Sequence, residues 1–322
     1  MVDTVDAFAG LLDGPRAREA FLLQLLMEPP WSIWVDDHSA LSMSAVLGGE
    51  AWLTMPGHEP VHLGPGDVSI VRGPDPYLFA NPADRPPDVV ALPGGQCTLS
   101  TGEDVVDALR RGVRSWGSAD AADCTEVIVG AYEHVSELGR RLLDALPAVL
   151  VVRRDQLDSP LVEVLHREIT RDEPGQQAVL DRLLDLLVVA VLRTWFAGAG
   201  GEAPGWIRAT ADPVVGPAMR LLEANPGHDW TVAGLAAEVG CSRATLARRF
   251  TELVGEPPMS FLTERRLSLA ADLLLEPGTT VGAVAGRVGY ASPFALSAAF
   301  KRHHGHSPSV HRAGAGSARL PG

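Results

Sequence analysis

Thr231-Val232-Ala233-Gly234-Leu235-Ala236-Ala237-Glu238-Val239-Gly240 is the stretch that decides the fold, because the chain writes it again as Thr280-Val281-Gly282-Ala283-Val284-Ala285-Gly286-Arg287-Val288-Gly289, 49 residues on. After a one-residue insertion, Leu246, Phe250, Gly255 and Pro258 return as Leu296, Phe300, Gly305 and Pro308, 50 residues on. A repeat with this many matched positions indicates two copies of one structural unit.

Local chemistry says what the unit is. Thr231 and Thr280 are N-cap residues, able to accept a hydrogen bond from an orphan amide of a first helical turn. Val232, Leu235, Ala236 and Val239 fall at i, i+3, i+4 and i+7, the buried face of a short helix. Gly240 and Gly289 supply the left-handed position that ends it. Ser242 and Ser292 cap a second helix, which turns Leu246 and Phe250, or Leu296 and Phe300, to a core. Pro293 suits the first turn, where no amide is needed. Helix, glycine-containing turn, helix is the helix-turn-helix arrangement. Between the copies, Pro258–Leu275 predicts one helix of about 18 residues, roughly 27 Å long, ended by Pro277-Gly278. Such a rod would hold two recognition helices about one DNA turn, ~34 Å, apart.

Residues 212–313 resemble the DNA-binding domain of the AraC/XylS family of transcription regulators. The resemblance is carried by the second copy: Val284-Ala285, Val288-Gly289-Tyr290, Ser292, Leu296, Phe300-Lys301, Gly305, Ser307-Pro308 and Arg312. It implies promoter or operator DNA as partner, RNA polymerase as a further partner if the protein activates, and exposed recognition-helix positions facing base edges. In the first copy these are Arg243, Ala244, Thr245 and Arg248. Arg248 is expected to bond guanine, whose O6 and N7 suit a bidentate guanidinium, with Arg243 and Arg249 on phosphates. In the second copy the positions are Pro293, Phe294, Ala295, Ser297 and Ala298, headed by Ser292. This departs from the polar set such helices carry in well-read members. Phe294 and Ala295 suit thymine methyls, Ser297 can hydrogen-bond, and Lys301 and Arg302 are expected on phosphates. The first half-site should be read tightly and the second loosely.

The net charge of −13 is unevenly divided. Residues 213–322 carry 11 Lys and Arg against 8 Asp and Glu; residues 1–212 carry 16 against 32. The acidic part would be repelled by phosphate and would orient the basic part toward a duplex, or it serves solubility alone. A length of 322 residues suits two or three domains. No apolar run reaches the ~20 residues of a membrane span, and the first residues lack the basic region of a signal peptide, so the expected location is the cytoplasm, on the nucleoid.

From Trp31 to Ser100, short apolar runs alternate with Gly/Pro turns, which predicts a small β-barrel or sandwich. Val61-His62-Leu63-Gly64-Pro65-Gly66-Asp67-Val68 resembles the turn and strand of a cupin, and residues 1–197 resemble the cupin-type sensor half of one AraC-family branch. Metal-binding cupins carry a His-x-His pair and a later histidine. Here only His58 stands in the first region and Tyr77 occupies the later position, so no metal, cofactor or catalytic residue is expected, and a metal-dependent cupin enzyme is the weak alternative. His38, His58 and His62 read as surface or satisfied core histidines. Trp34, Met43, Trp52, Tyr77 and Phe79 either line a pocket for a small-molecule effector or simply fill the barrel. Cys97 and Cys124 are candidates for an oxidant-sensing thiol switch, which would need exposure and a lowered thiol pKa; Cys241 reads as turn packing.

Ser136–Leu146 and Ser159–Asp172 read as amphipathic helices. Gln176–Phe196 is apolar almost all round, so it needs cover on two sides: the barrel on one, and on the other a second copy of the chain in a homodimer, unless it is fully buried within one chain. Ala197–Ala211, rich in glycine, reads as a flexible linker. The expected class is α+β: a cupin-like barrel with a helical dimerisation segment (1–197), a linker (198–211), an all-α domain with two helix-turn-helix motifs (212–313) and a disordered tail (314–322).

Overall fold

The structure, a computed structural model, describes residues 21–119, 124–133, 137–198, 205–276 and 278–317. It divides into two compact units.

The first unit is built on two six-stranded sheets. One runs β10 (Ser115–Gly117), β1 (Phe21–Met27), β11 (Thr125–Tyr132), β3 (Leu41–Gly48), β6 (Val68–Arg72), β12 (Val149–Val152); the other runs β5 (Val61–Leu63), β4 (Ala51–Thr54), β7 (Tyr77–Asn81), β2 (Trp31–Val35), β8 (Val89–Leu92), β9 (Gln96–Leu99). Pairing is antiparallel except β1 with β10 and β2 with β8. The strands expected between Trp31 and Ser100 all form. Leu25, Trp31, Val46, Leu53, Phe79 and Val127 belong to one buried cluster drawn from both sheets. The Leu63–Asp67 turn is held by its own aspartate: Asp67 accepts from the Gly64 amide (3.1 Å), the Arg154 amide (3.0 Å) and the Arg153 guanidinium (2.7 Å). Burial alone would raise the Asp67 pKa, but those amides and Arg153 outweigh it and hold it below the usual carboxylate range.

Helix α1 (Glu137–Asp144) precedes β12 and through Leu142 groups with the second unit; two helices follow in this unit, α2 (Leu161–Ile169) and α3 (Gln176–Gly198). α3 packs on α2 and β12. It also covers β11: a Cβ at Gly130 would come within 2.8 Å of Leu184, so glycine is what lets helix and strand approach. The buried side of α3 includes Leu180, Leu184, Leu187, Val191 and Leu192, whereas Val179 and Leu186 stand 46% and 53% exposed.

The second unit is all helix: α4 (Gly205–Ala209), α5 (Val215–Ala224), α6 (Val232–Glu238), α7 (Arg243–Val254), α8 (Pro258–Leu274), α9 (Val281–Arg287), α10 (Pro293–His304) and α11 (Pro308–Ser317). It corrects two sequence expectations. The linker expected over 198–211 contains α4, in which Trp206, Ile207 and Ala209 are buried and which packs on α7. Gly205 is there for closeness, not slack: a Cβ on it would lie 2.3 Å from the Leu253 carbonyl oxygen. The tail expected from 314 remains helical through Ser317; residues 199–204 and 318–322 lie outside the described residues.

Each half of the repeat folds as its spacing dictates. Thr231, Ser242, Thr280 and Ser292 accept the amides of Gly234, Thr245, Ala283 and Ala295 at 3.0, 3.1, 3.2 and 3.2 Å. Gly240 and Gly289 take φ of +70° and +79°, which L side chains enter only with strain. Phe250 stacks edge-on against Phe261, centroids 5.6 Å apart; Phe300 sits with Leu267, Leu274, Val284 and Leu296 in the second core. α8 serves both cores, so truncating either phenylalanine would cost about 3–5 kcal/mol.

Candidate nucleic-acid interface and barrel cavity

The two recognition helices present different chemistry. On α7, Arg243, Ala244 and Arg248 are exposed and Thr245 is half-buried. Arg248 is occupied: its Nη1 donates to both Glu252 carboxylate oxygens at 2.9 Å. The pair is an exposed i,i+4 contact, weak enough to be exchanged for a base edge. Arg249, expected on phosphate, has a partner within the fold. It is half-buried and pairs with Asp212, which is only 12% exposed and also accepts the amides of Val214 and Val215 at 2.9 Å each. Burial of Asp212 acts to raise its pKa, but the Val215 and Val214 amides and Arg249 more than offset it and lower the value. Arg249 thus fastens α7 to the start of α5.

On α10, Phe294 is 86% exposed, the most exposed of the large hydrophobic side chains among the described residues. Nothing within the fold requires a phenylalanine there, and desolvating it against an apolar surface is favourable. Ala295 and Ala298 are exposed beside it, Ser297 is half-buried, and Lys301 and Arg302 stand exposed in the last turn. The hydroxyl oxygen of Ser292 is committed to its cap. Arg312 is a staple that sequence reasoning placed only in a motif: its Nε donates to the Leu274 carbonyl (2.9 Å) and its Nη2 to that of Thr279 (2.6 Å), tying α11 to the end of α8 and the approach to α9. Arg266 does the equivalent before the first copy, donating to the carbonyls of Pro226 (2.6 Å) and His228 (2.7 Å).

The barrel opens into a cavity of about 640 Å³, within the size range of small-molecule sites. Met43, Tyr77 and Phe79 border it; Trp34 and Trp52 do not. Strand parity gives the reason, since neighbours along a strand face opposite ways: Ile33 and Val35 line the cavity, so Trp34 between them faces out, and Trp52 lies tilted against His62, ring centroids 4.8 Å apart. Met43 pairs with Gly130, whose open side meets Leu184, so the inward side chains of β3 are Ser42 and Ser44. Tyr77 is buried, bonded to Ser42 and close to Asp37; burial first, then Asp37, raises its phenol pKa, which the Ser42 bond opposes.

Neither cysteine suits a thiol switch. Cys97 borders the cavity, and burial, reinforced by Asp104, pushes its thiol up to about 11, the reverse of what a reactive thiol needs. Cys124 is buried. His38 and His58 are exposed, His38 lying 3.4 Å from Asp36, and His62 lies 3.6 Å from Glu50. Among the described residues no three His, Cys, Asp or Glu converge as metal ligands, and no helix is long and apolar enough to cross a membrane.

A two-sheet barrel followed by a capped, duplicated helix-turn-helix defines a class of DNA-binding regulators, and comparison with known proteins agrees. A cupin family model matches residues 6–197, and a helix-turn-helix domain model matches residues 235–314. A protein of Streptomyces antibioticus named as an AraC-like transcription regulator is 30% identical over 96% of this chain and 98% of its own length. The transcriptional regulator AlkR of Acinetobacter baylyi is 25% identical over 96% of this chain and 99% of its own. Among solved structures, the DNA-binding domain of AdpA in complex with a target DNA is 37% identical, covering 35% of this chain and all of that one, at a TM-score of 0.32. The chain belongs to the AraC-like transcription regulators, with a cupin domain ahead of an AraC-type DNA-binding domain.

Proposed function

We propose that this regulator is a ligand-controlled homodimer: a small molecule occupies the barrel cavity, α3 joins two copies, and α7 and α10 of each copy enter successive major-groove segments of an operator. The observation that carries the DNA reading is the free face of α10, where Phe294 is 86% exposed beside Ser297. An aromatic ring there suits thymine methyls. The exposed Arg243 and Arg248 on α7 supply phosphate and guanine contacts. Val179 and Leu186 on the open side of α3 support the dimer, and an isologous pair is the commonest symmetry. A ligand changes transcription only by binding two arrangements of the dimer unequally.

The test is fluorescence anisotropy of the full chain on its own promoter and on a scrambled duplex, across a salt series. Tighter binding to the promoter at every salt concentration supports the reading. Equal affinity throughout removes it. Light scattering at micromolar concentration checks the dimer, which a monomer mass would refute.

A further inference from the structure

The cavity's walls and its rim differ in chemistry. Leu23, Leu25, Ile33, Phe79 and Val129 make the walls apolar. At the rim, Phe21 and Val113 are 46% and 72% exposed and add apolar surface to the mouth. Three charged side chains border the space: Asp37, Arg110 and Glu133. Arg110 pairs with Asp107 at 3.1 Å, a contact in which both side chains are exposed, so the rim holds two carboxylates against one guanidinium that already faces an acid. Asp37 spends one oxygen on the Ser39 amide (2.9 Å) and meets no cation among the described residues; Glu133, exposed, has none there either. The two carboxylates lie on adjacent segments, since the Ala40 amide donates to the Tyr132 carbonyl at 2.8 Å. Phe21 pairs with Ala131 at that same end of the sheet. Deeper in, Ser42 is taken by Tyr77, and Ser44, 4% exposed, borders the cavity.

We infer that the cavity takes an amphipathic cation, an amine or quaternary ammonium with an apolar body. The body lies among Leu25, Ile33, Phe79 and Val129, and the positive head sits at the rim between Asp37 and Glu133. Ser44 offers a hydrogen bond to one polar atom along the body. An anion of the same shape would meet two carboxylates against the one guanidinium of Arg110, itself beside Asp107, and a neutral molecule would leave both carboxylates uncompensated on a surface that it partly dries. This inference rests on the cavity being the effector site, and it names the chemistry of that effector.

Calorimetric titration of the full chain with decyltrimethylammonium, decanol and decanesulfonate, each below its aggregation limit, decides it. The expected order is ammonium, then alcohol, then sulfonate, with the ammonium at least about tenfold tighter than the alcohol. Asp37→Asn with Glu133→Gln should erase that preference and leave alcohol binding in place. Glu133→Gln alone, at an exposed position, should preserve the fold and lose part of the preference. Equal binding of the three probes, an unchanged preference in the variants, or no binding by any probe would overturn the inference. None of those results touches operator binding, which is measured without ligand, so the regulator reading fails only by its own test.

Discussion

Asp212 and Arg249, 37 residues apart in sequence, are joined by a 2.5 Å contact between carboxylate and guanidinium. The same carboxylate receives the Val214 and Val215 amides. One side chain thus caps the start of α5 and fixes the orientation of α7. An arginine on a recognition helix is not free for DNA merely because it is an arginine.

Asp212→Asn should therefore destabilise the helical unit by about 1.5–3 kcal/mol, the range for hydrogen bonds to a charged group. The folded-state pKa of Asp212 is lowered, so its stabilisation is complete above the unfolded value near ~4 and is lost as pH falls through the folded one. Urea midpoints of the two proteins should differ at neutral pH and converge in acid. A constant difference down to low pH would show that the carboxylate charge is irrelevant.

Arg248→Ala should cost ~1–3 kcal/mol of discrimination at one or two base pairs, with little change in folding, because its Glu252 partner is an exposed surface contact. Glu252→Gln should tighten binding to all duplexes by removing a negative charge beside the groove. Competition binding against single-base operator variants measures both. A uniform loss for Arg248→Ala on every sequence would assign it to phosphate instead.

Phe294→Ala should leave thermal stability within about 0.5 kcal/mol, as for other exposed positions, while weakening operator binding. The weakening should concentrate at thymines of one half-site and vanish when they are replaced by uracil, which lacks the methyl group. Anisotropy with the two duplexes reads this directly.

Alkylation of Cys97 should be slow at neutral pH and accelerate only as pH approaches about 11, since the thiolate is the nucleophile. Iodoacetamide rates against pH for the Cys124→Ser, Cys241→Ser protein would show it. A rate already at its plateau near pH 8 would restore the thiol-switch reading that the geometry disfavours.

What the sequence disclosed follows the range of the interactions involved. The caps at Thr231, Ser242, Thr280 and Ser292 act over three residues, so spacing reveals them. The strands between Trp31 and Ser100 were legible from their turns. The four strands outside that span, β1, β10, β11 and β12, were not; of these β1, Phe21-Leu-Leu-Gln-Leu-Leu-Met, and β12, Val149-Leu-Val-Val, lack clean alternation, and β1 is buried on both faces. Trp34 and Trp52 were expected at the pocket because they are large and aromatic, but the side a strand residue faces depends on register, and one residue's shift reverses it. Gly205 resembled linker glycine; only the Leu253 carbonyl lying against it shows why it must be small. The rim carboxylates Asp37 and Glu133 were missed because nothing local in the sequence brings the end of β2 to the end of β11.

Lys301, exposed in the last turn of α10, is the only lysine in the chain. An amine-directed dye or acylating reagent therefore has a single side-chain target, on the very helix assigned to the operator. Apart from the α-amino group, every molecule of the protein carries one built-in attachment point, and a bound duplex would shade it without any cysteine engineering.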